Sequence, residues 1–181
     1  MKQNDIIKFG GIGWLVLDIQ GGMALILAER IICKRHYHDN YEPTTWEHSA
    51  LRKWLNGEYY NQFSAEEKQM IAPVRRRNSE NPRYGTSGGN STTDKISLLS
   101  IDGVRKYLPN ANDRIVLDEN DKPSSWWLRS PGGCLDSAAL VYADGSLDIV
   151  GDCMYWAEGG VRPALWLDLR KYEDGGGGNG K

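Results

Sequence analysis

The chain reads as an α+β protein built of antiparallel sheets, two or three short helices and long loops. Three observations predict this. Short apolar runs near the N-terminus are separated by Gly10-Gly11 and Gly21-Gly22, the punctuation of hairpins. A central stretch switches to helical spacing, with Leu51, Trp54, Leu55 and Tyr59 on one face. The last third returns to short apolar runs around Ala143-Asp144-Gly145, a second hairpin signal. The 181 residues suit a single domain over 1–172, with a flexible Gly-rich tail over 173–181.

The elements follow in order. Ile6–Phe9, Trp14–Ile19 and Met23–Ala28 form a meander of three antiparallel strands. Ser49 is a candidate cap for the helix that begins near Leu51, and Gly57 is a place for that helix to end early. Ser64-Ala65-Glu66-Glu67 has the spacing of a capping box, and Pro73 stops the helix it starts. Arg75-Arg76-Arg77 reads as a solvated strand or loop edge, because no aromatic residues interleave with the charges. Residues 78–93 have no period and read as a long loop, mobile or functional. Lys95–Leu99 reads as a buried strand, followed by a short helix capped by Ser100 or Asp102 and closed by Pro109. Trp126–Arg129 and Val161–Leu169 read as strands flanking the second hairpin.

Composition narrows the function. A net charge of -2 gives no global attraction to nucleic acid or to an anionic membrane. No run of eighteen apolar residues and no signal-peptide core occurs. The expected location is therefore cytoplasmic, phage-borne, or outside the cell after export from a longer precursor. Cys33, Cys134 and Cys153 are too few and too widely spaced for a disulfide scaffold, and His36, His38 and His48 lack zinc-ligand spacing. Phosphate-binding loops and nucleophile elbows are absent, so no catalytic residue, metal or cofactor is expected. The aromatics are unusual: seven Trp and nine Tyr against two Phe. Side chains with an apolar body and a polar tip suit a half-wet contact surface better than a dry core.

The register of the second hairpin decides which side chains face outward. A two-residue Asp-Gly turn would pair Tyr142 with Leu147. A type I turn through Ala143-Asp144, with Gly145 as a left-handed bulge, would pair Tyr142 with Ser146 and Val141 with Leu147. The second register is preferred, since it gathers Ala139, Val141, Leu147 and Ile149 on one apolar face. It places Leu140, Tyr142, Asp148 and Val150 outward, beside the loops Cys134–Ser137 and Asp152–Trp156. Such a mixed surface makes a binding patch or folds back to fill a small core; composition leaves both open.

Trp126-Trp127-Leu128-Arg129-Ser130-Pro131-Gly132 and Gly160-Val161-Arg162-Pro163-Ala164-Leu165-Trp166-Leu167 resemble the signature of a bacterial domain family of unassigned function. The resemblance extends upstream to Thr45-Trp46-Glu47 and Leu51–Gly57, and covers nearly the whole chain before the tail. That family resembles the C-type-lectin-like fold in its formylglycine-generating-enzyme branch, and is similar to the variable proteins of diversity-generating retroelements. The resemblance implies terminal strands lying together and a ligand face built by the C-terminal loops, over 133–158. It also implies that adenine-directed mutagenesis diversifies residues on a fixed scaffold.

The residues expected to bind ligand are Leu135, Asp136, Leu140, Tyr142, Asp148, Val150, Asp152, Cys153, Tyr155 and Trp156. All but Trp156 are reachable from asparagine codons by changing adenines alone, a test most residue types pass. Gly132, Gly145 and Gly160 are expected to allow turns, Arg129 and Arg162 to clamp carbonyls or carboxylates, and Trp126, Trp127 and Trp166 to supply core bulk. The oxidase branch uses a closely spaced cysteine pair, whereas Cys134 and Cys153 lie nineteen positions apart. Calcium-dependent sugar lectins carry an amide after their loop proline, whereas Glu42-Pro43 is followed by Thr44 and no Trp-Asn-Asp occurs. The expected function is thus a non-enzymatic ligand-binding module, the hypervariable target protein of a retroelement, engaging a protein or surface ligand of unknown identity. The alternatives are a formylglycine-generating-type oxidase and a structural adaptor docked on one fixed partner in a surface or phage assembly.

Overall fold

A computed structural model describes residues 1–174; residues 175–181, most of the expected tail, lie outside the described residues. The N-terminal meander forms as expected from β1 (Ile6–Phe9), β2 (Ile12–Gln20) and β3 (Met23–Ala28). Gly10, Gly11, Gly21 and Gly22 all adopt positive φ in its two turns, a region where a Cβ is strained. A two-residue strand, β4 (Cys33–Lys34), leads into an irregular segment and a 3₁₀ turn at Trp46–His48.

Helix α1 (Ala50–Trp54) starts where the Ser49 hydroxyl accepts from the Arg52 N–H. Gly57 does not end it. The chain widens into a π-turn over Leu55–Tyr59 and continues helical to Asn61. The Asn56 amide explains the widening. It donates to the Arg52 and Ile96 carbonyls at 3.1 and 2.8 Å and accepts from the Lys95 and Ile96 N–H groups, cross-linking the helix to the Lys95-Ile96 segment. Helix α2 (Ala65–Met70) carries the expected reciprocal capping box between Ser64 and Glu67.

The Arg75–Arg77 stretch lies in and beside a strand edge. β5 (Ile71–Ala72) is followed by β6 (Val74–Arg76), which pairs with β7 (Thr92–Asp94). Arg75 and Arg77 are exposed while Arg76 turns inward, the alternation of a strand. The segment between is more anchored than a periodless loop suggests, since Asn78 and Asn81 are buried. β8 (Ile96–Ser97) is shorter than expected, and α3 (Ile101–Tyr107) is capped by Ser100 rather than Asp102. The polar connection after it holds one further turn, α4 (Ala111–Arg114).

Strands β9 (Trp126–Pro131), β10 (Ser137–Val141) and β11 (Leu147–Cys153) form the second antiparallel unit. The strand expected over Val161–Leu169 splits into β12 (Gly160–Val161) and β13 (Ala164–Asp168), followed by α5 (Leu169–Asp174). The break falls at Arg162-Pro163, where the chain leaves one sheet for the other. β12 joins the order β11-β10-β9-β12-β4, whereas β13 joins β1-β2-β3-β13-β5, with β8 also on β13. Buried Arg162 braces this crossover: its Nε donates to the Ala28 carbonyl at 2.9 Å and its guanidinium stacks on Trp126. Burial pushes that guanidinium down to about 10. The result is a mixed α+β fold of mainly antiparallel sheets.

The β9–β10 pair is covered on both faces. Trp127, Ala138 and Leu140 pack on one side with Trp14, Tyr37 and Trp46. Trp126, Leu128, Ala139 and Val141 pack on the other with Leu25, Leu27 and Trp166. Contrary to the compositional expectation, the polar-tipped aromatics build much of this dry core. Trp14, Trp46, Trp126 and Trp127 are fully buried, and each indole N–H finds an acceptor: Phe9 O, Asp94 Oδ2, Arg114 O and Arg35 O. Burying about 200 Å² per indole at roughly 25 cal/mol per Å² contributes about 5 kcal/mol each before entropic costs. The satisfied N–H removes the penalty that would otherwise offset it.

Candidate functional site

The hairpin adopts the preferred register. Val141 lies opposite Leu147 and Leu140 opposite Asp148. The Tyr142 N–H donates to the Ser146 carbonyl and the Gly145 N–H to the Tyr142 carbonyl. Gly145 sits at φ +82°, and a Cβ there would collide with the Ala111 carbonyl. The alternation is therefore as expected, but its outer face is not uniformly wet. Leu140 is fully buried and leaves the expected binding set, because helix-bearing and N-terminal segments cover that face of β10 as well. Positions toward the tip, and those in and past the bulge that lies opposite Ala138–Leu140, reach water. Tyr142 and Val150 are exposed, and Asp148 and Asp152 are half-buried.

Three segments converge at the other end of the hairpin. The turn Cys134–Ser137 is closed by the Ser137 N–H on the Cys134 carbonyl. Its Leu135 carbonyl accepts from Thr44 N–H, and its Asp136 carbonyl accepts from Met154 N–H. The Met154 carbonyl in turn accepts from both Tyr37 and His38 N–H groups, at 2.9 and 3.0 Å. Main-chain bonds thus fasten the 36–44 segment, the turn and the loop after β11 to one another, and buried Met154 plugs the junction.

On this base stands an aromatic stack. The Tyr155 ring lies between Tyr41, at 4.1 Å, and His36, at 4.6 Å, with interplanar angles of 34° and 33°. His36 Nδ1 also contacts the Tyr155 carbonyl. Tyr41, 77% exposed, caps the stack and offers its outer face to solvent. Leu135, Asp136 and Cys153 are exposed nearby in sequence and register. Trp156 plays another part: half-buried, it sets its ring edge-on to Trp127 at 5.8 Å and braces the loop from beneath. Beside the stack a cleft of about 480 Å³ opens between the 35–40 segment and α1. His36 and His38 form one wall; Trp54, with the Arg35 guanidinium over its ring at 4.5 Å, forms the other.

A second aromatic rim comes from the loop 78–90. Asn81 donates to the Pro131 and Ile149 carbonyls and accepts from the Arg83 and Tyr84 N–H groups. This pins exposed Tyr84 close to Gly133. Near the hairpin tip the Tyr142 hydroxyl donates to Asp148 Oδ2 at 2.9 Å, which raises the phenol above its ordinary value of 10.

Of the expected residues, Leu135, Asp136 and Tyr155 gather at the loop end. Tyr142, Asp148 and Val150 follow β11 toward its tip. Tyr41, His36 and Tyr84 were absent from the expected set, because they lie far upstream in stretches without periodicity. Two tyrosines in the polar run His36–Glu42 were the only available signal. Among the described residues, no group of three or more His, Cys, Asp or Glu side chains is placed to hold a metal ion. Cys33 packs against the core, and burial pushes its thiol up to about 11. No helix among the described residues is long and apolar enough to cross a membrane.

Fold and site together define a mixed α+β protein that displays an aromatic, polar-rimmed face on loops clamped to a doubly covered sheet. The chain belongs to the family described as Domain of unknown function (DUF6273), whose sequence model matches residues 21–169. No curated protein and no solved structure matches it.

Proposed function

We propose that this protein is a ligand-binding module of C-type-lectin-like fold, working without catalysis as the variable target protein of a diversity-generating retroelement. The observation that carries the reading is the His36–Tyr155–Tyr41 stack, half-buried at His36 and Tyr155 and exposed at Tyr41, on loops that main-chain hydrogen bonds hold to the core. Rigid aromatic anchors give large contact area for little lost rotamer freedom. Preorganised loops lower the ordering cost of binding.

Two further features support it. The family-like letters Trp126, Trp127, Leu128, Gly160, Val161, Ala164, Leu165 and Leu167 are all buried, whereas Leu135, Asp136, Tyr142, Val150 and Cys153 are exposed. Diversification at the second group leaves the first untouched. The pairing of β13 with β3 also joins the C-terminal strand to the N-terminal meander, the arrangement the resemblance implies. The ligand is a protein or other macromolecular surface, engaged by Tyr155, Tyr41 and Tyr142 as anchors and by Asp136, Asp148 and Asp152 as polar selectors.

The test is a displayed library randomised at Leu135, Asp136, Tyr142, Asp148, Val150, Asp152, Cys153 and Tyr155, selected against an unrelated immobilised globular protein. The expected outcome is that most clones stay protease-resistant and that binders of the bait emerge. General loss of folding, or failure to obtain any binder, overturns the reading. Diversification itself is tested in the genome: a near-copy of the 3′ end of the gene, differing at adenines, should lie beside a reverse transcriptase.

A further inference from the structure

Cys134 and Cys153 are far apart in sequence but address the same side chain. The Cys134 N–H donates to Ser137 Oγ at 3.1 Å, and that hydroxyl donates back to the Cys134 carbonyl at 3.0 Å. Cys134 Sγ lies 3.3 Å from the same oxygen. From the other side, Cys153 is the direct cross-strand partner of Ser137. The Met154 N–H on the Asp136 carbonyl flanks that pair as expected for a non-hydrogen-bonded position. There Cα atoms approach to about 4.5 Å and both side chains project from one face. Both cysteines are exposed, and neither is in a disulfide.

We propose that Cys134 and Cys153 form a reversible disulfide that staples the β9–β10 turn to the end of β11. A disulfide needs Cα atoms roughly 4.4–6.8 Å apart, so closing the bridge requires the exposed Cys134 turn to shift toward Cys153 across Ser137. The oxidant is a small-molecule disulfide of the glutathione type. One cysteine thiolate attacks it, forming a mixed disulfide and releasing one glutathione thiolate. The second cysteine thiolate then attacks the protein sulfur of that mixed disulfide and expels the other glutathione. Two electrons pass from the protein dithiol to the glutathione disulfide, and the two protons lost by the cysteines end on the two departing thiols.

The bridge encloses the whole hairpin. It ties Leu135 and Asp136 on the turn to Asp152 and Tyr155 at the end of β11, so oxidation would stiffen the segment that carries the exposed face. Its formation does not depend on the ligand-binding reading.

The experiment incubates the full chain with oxidised and reduced glutathione at a series of ratios, followed by intact mass, thiol titration and thermal unfolding. The expected product is a monomer lighter by about 2 Da, the two hydrogens lost, with two of its three free thiols consumed. A single linked peptide should join Cys134 to Cys153, and the unfolding midpoint should rise by several degrees. C134S and C153S should each lose the linkage and the rise, and carry one glutathione adduct instead. C33S should retain both. Accumulation of a doubly glutathionylated monomer, or of intermolecular dimers without the internal link, overturns the proposal.

Discussion

Leu140 and Asp148 face each other across the hairpin yet stand on opposite sides of the boundary between core and water. Leu140 is fully buried beside Trp127, while Asp148 reaches the rim and holds the Tyr142 hydroxyl. The same strand pair is therefore scaffold at one position and candidate contact surface at the next. Leu140→Ala should cost about 2–5 kcal/mol, the range for a leucine deleted from a packed core. Val150→Ala and Leu135→Ala, at exposed positions, should each stay within about 0.5 kcal/mol. Urea unfolding of the three variants measures the contrast, and equal losses at all three would place the whole face in the core.

That partition shows what the sequence could disclose. Pairing was legible at the hairpin because Ala143-Asp144-Gly145 restricts the turn, and a turn sets the register of every residue after it. Burial was not legible at Leu140, because alternation tells which face a side chain takes but not what lies over that face. The helix running past Gly57 was hidden for a similar reason: the Asn56 amide holds it to Ile96, forty residues on. The candidate site was half visible. Tyr155 lay in a stretch already marked by its odd mixture, but Tyr41 and His36 reach it only once the fold brings distant segments together.

The Tyr142–Asp148 bond gives a pH signature. A phenol held above its ordinary value in the folded state stabilises the fold fully below that ordinary value. The contribution fades as pH rises through the folded one. Asp148→Asn should bring the Tyr142 titration, followed by NMR, back toward 10. The stability difference between wild type and variant should shrink in alkaline solution. An unchanged phenol titration in D148N would show that the carboxylate is not the cause.

Asp94 is the acid among three arginines. Its side chain is fully buried, accepting from Trp46 Nε1 at 2.9 Å, Thr92 Oγ1 at 2.8 Å and Arg52 Nε at 2.6 Å. Arg129, whose guanidinium burial and neighbouring Arg76 push down to about 10, also feels its charge. Asp94→Ala strands an indole N–H and leaves the cations facing one another. The expected loss is about 3–5 kcal/mol, as for a buried pair with one partner removed. Denaturant unfolding checks this, and a loss below about 1 kcal/mol would mean that water or Glu47 takes over the arginine.

Asp118 should make stability acid-sensitive. Its Oδ1 accepts from the Asn120 and Lys122 N–H groups at 2.9 and 3.2 Å, and Lys34 Nζ lies 3.5 Å from its Oδ2. Those backbone donors, with the lysine behind them, hold its carboxyl below the ordinary 3.8. A depressed carboxyl stabilises the folded state above the unfolded value, and that stabilisation disappears as pH falls through the folded one. The same loop is fastened elsewhere by the Arg30 guanidinium on the Asp118 carbonyl and by the Ile31 N–H on Leu117, so Asp118→Ala should loosen it without unfolding the chain. Wild type should therefore exceed D118A in urea midpoint near neutral pH, and the two curves should approach each other on acidification below the ordinary carboxyl value. A gap that stays constant into acid would assign the effect to the backbone geometry of the turn rather than to the ionised carboxylate.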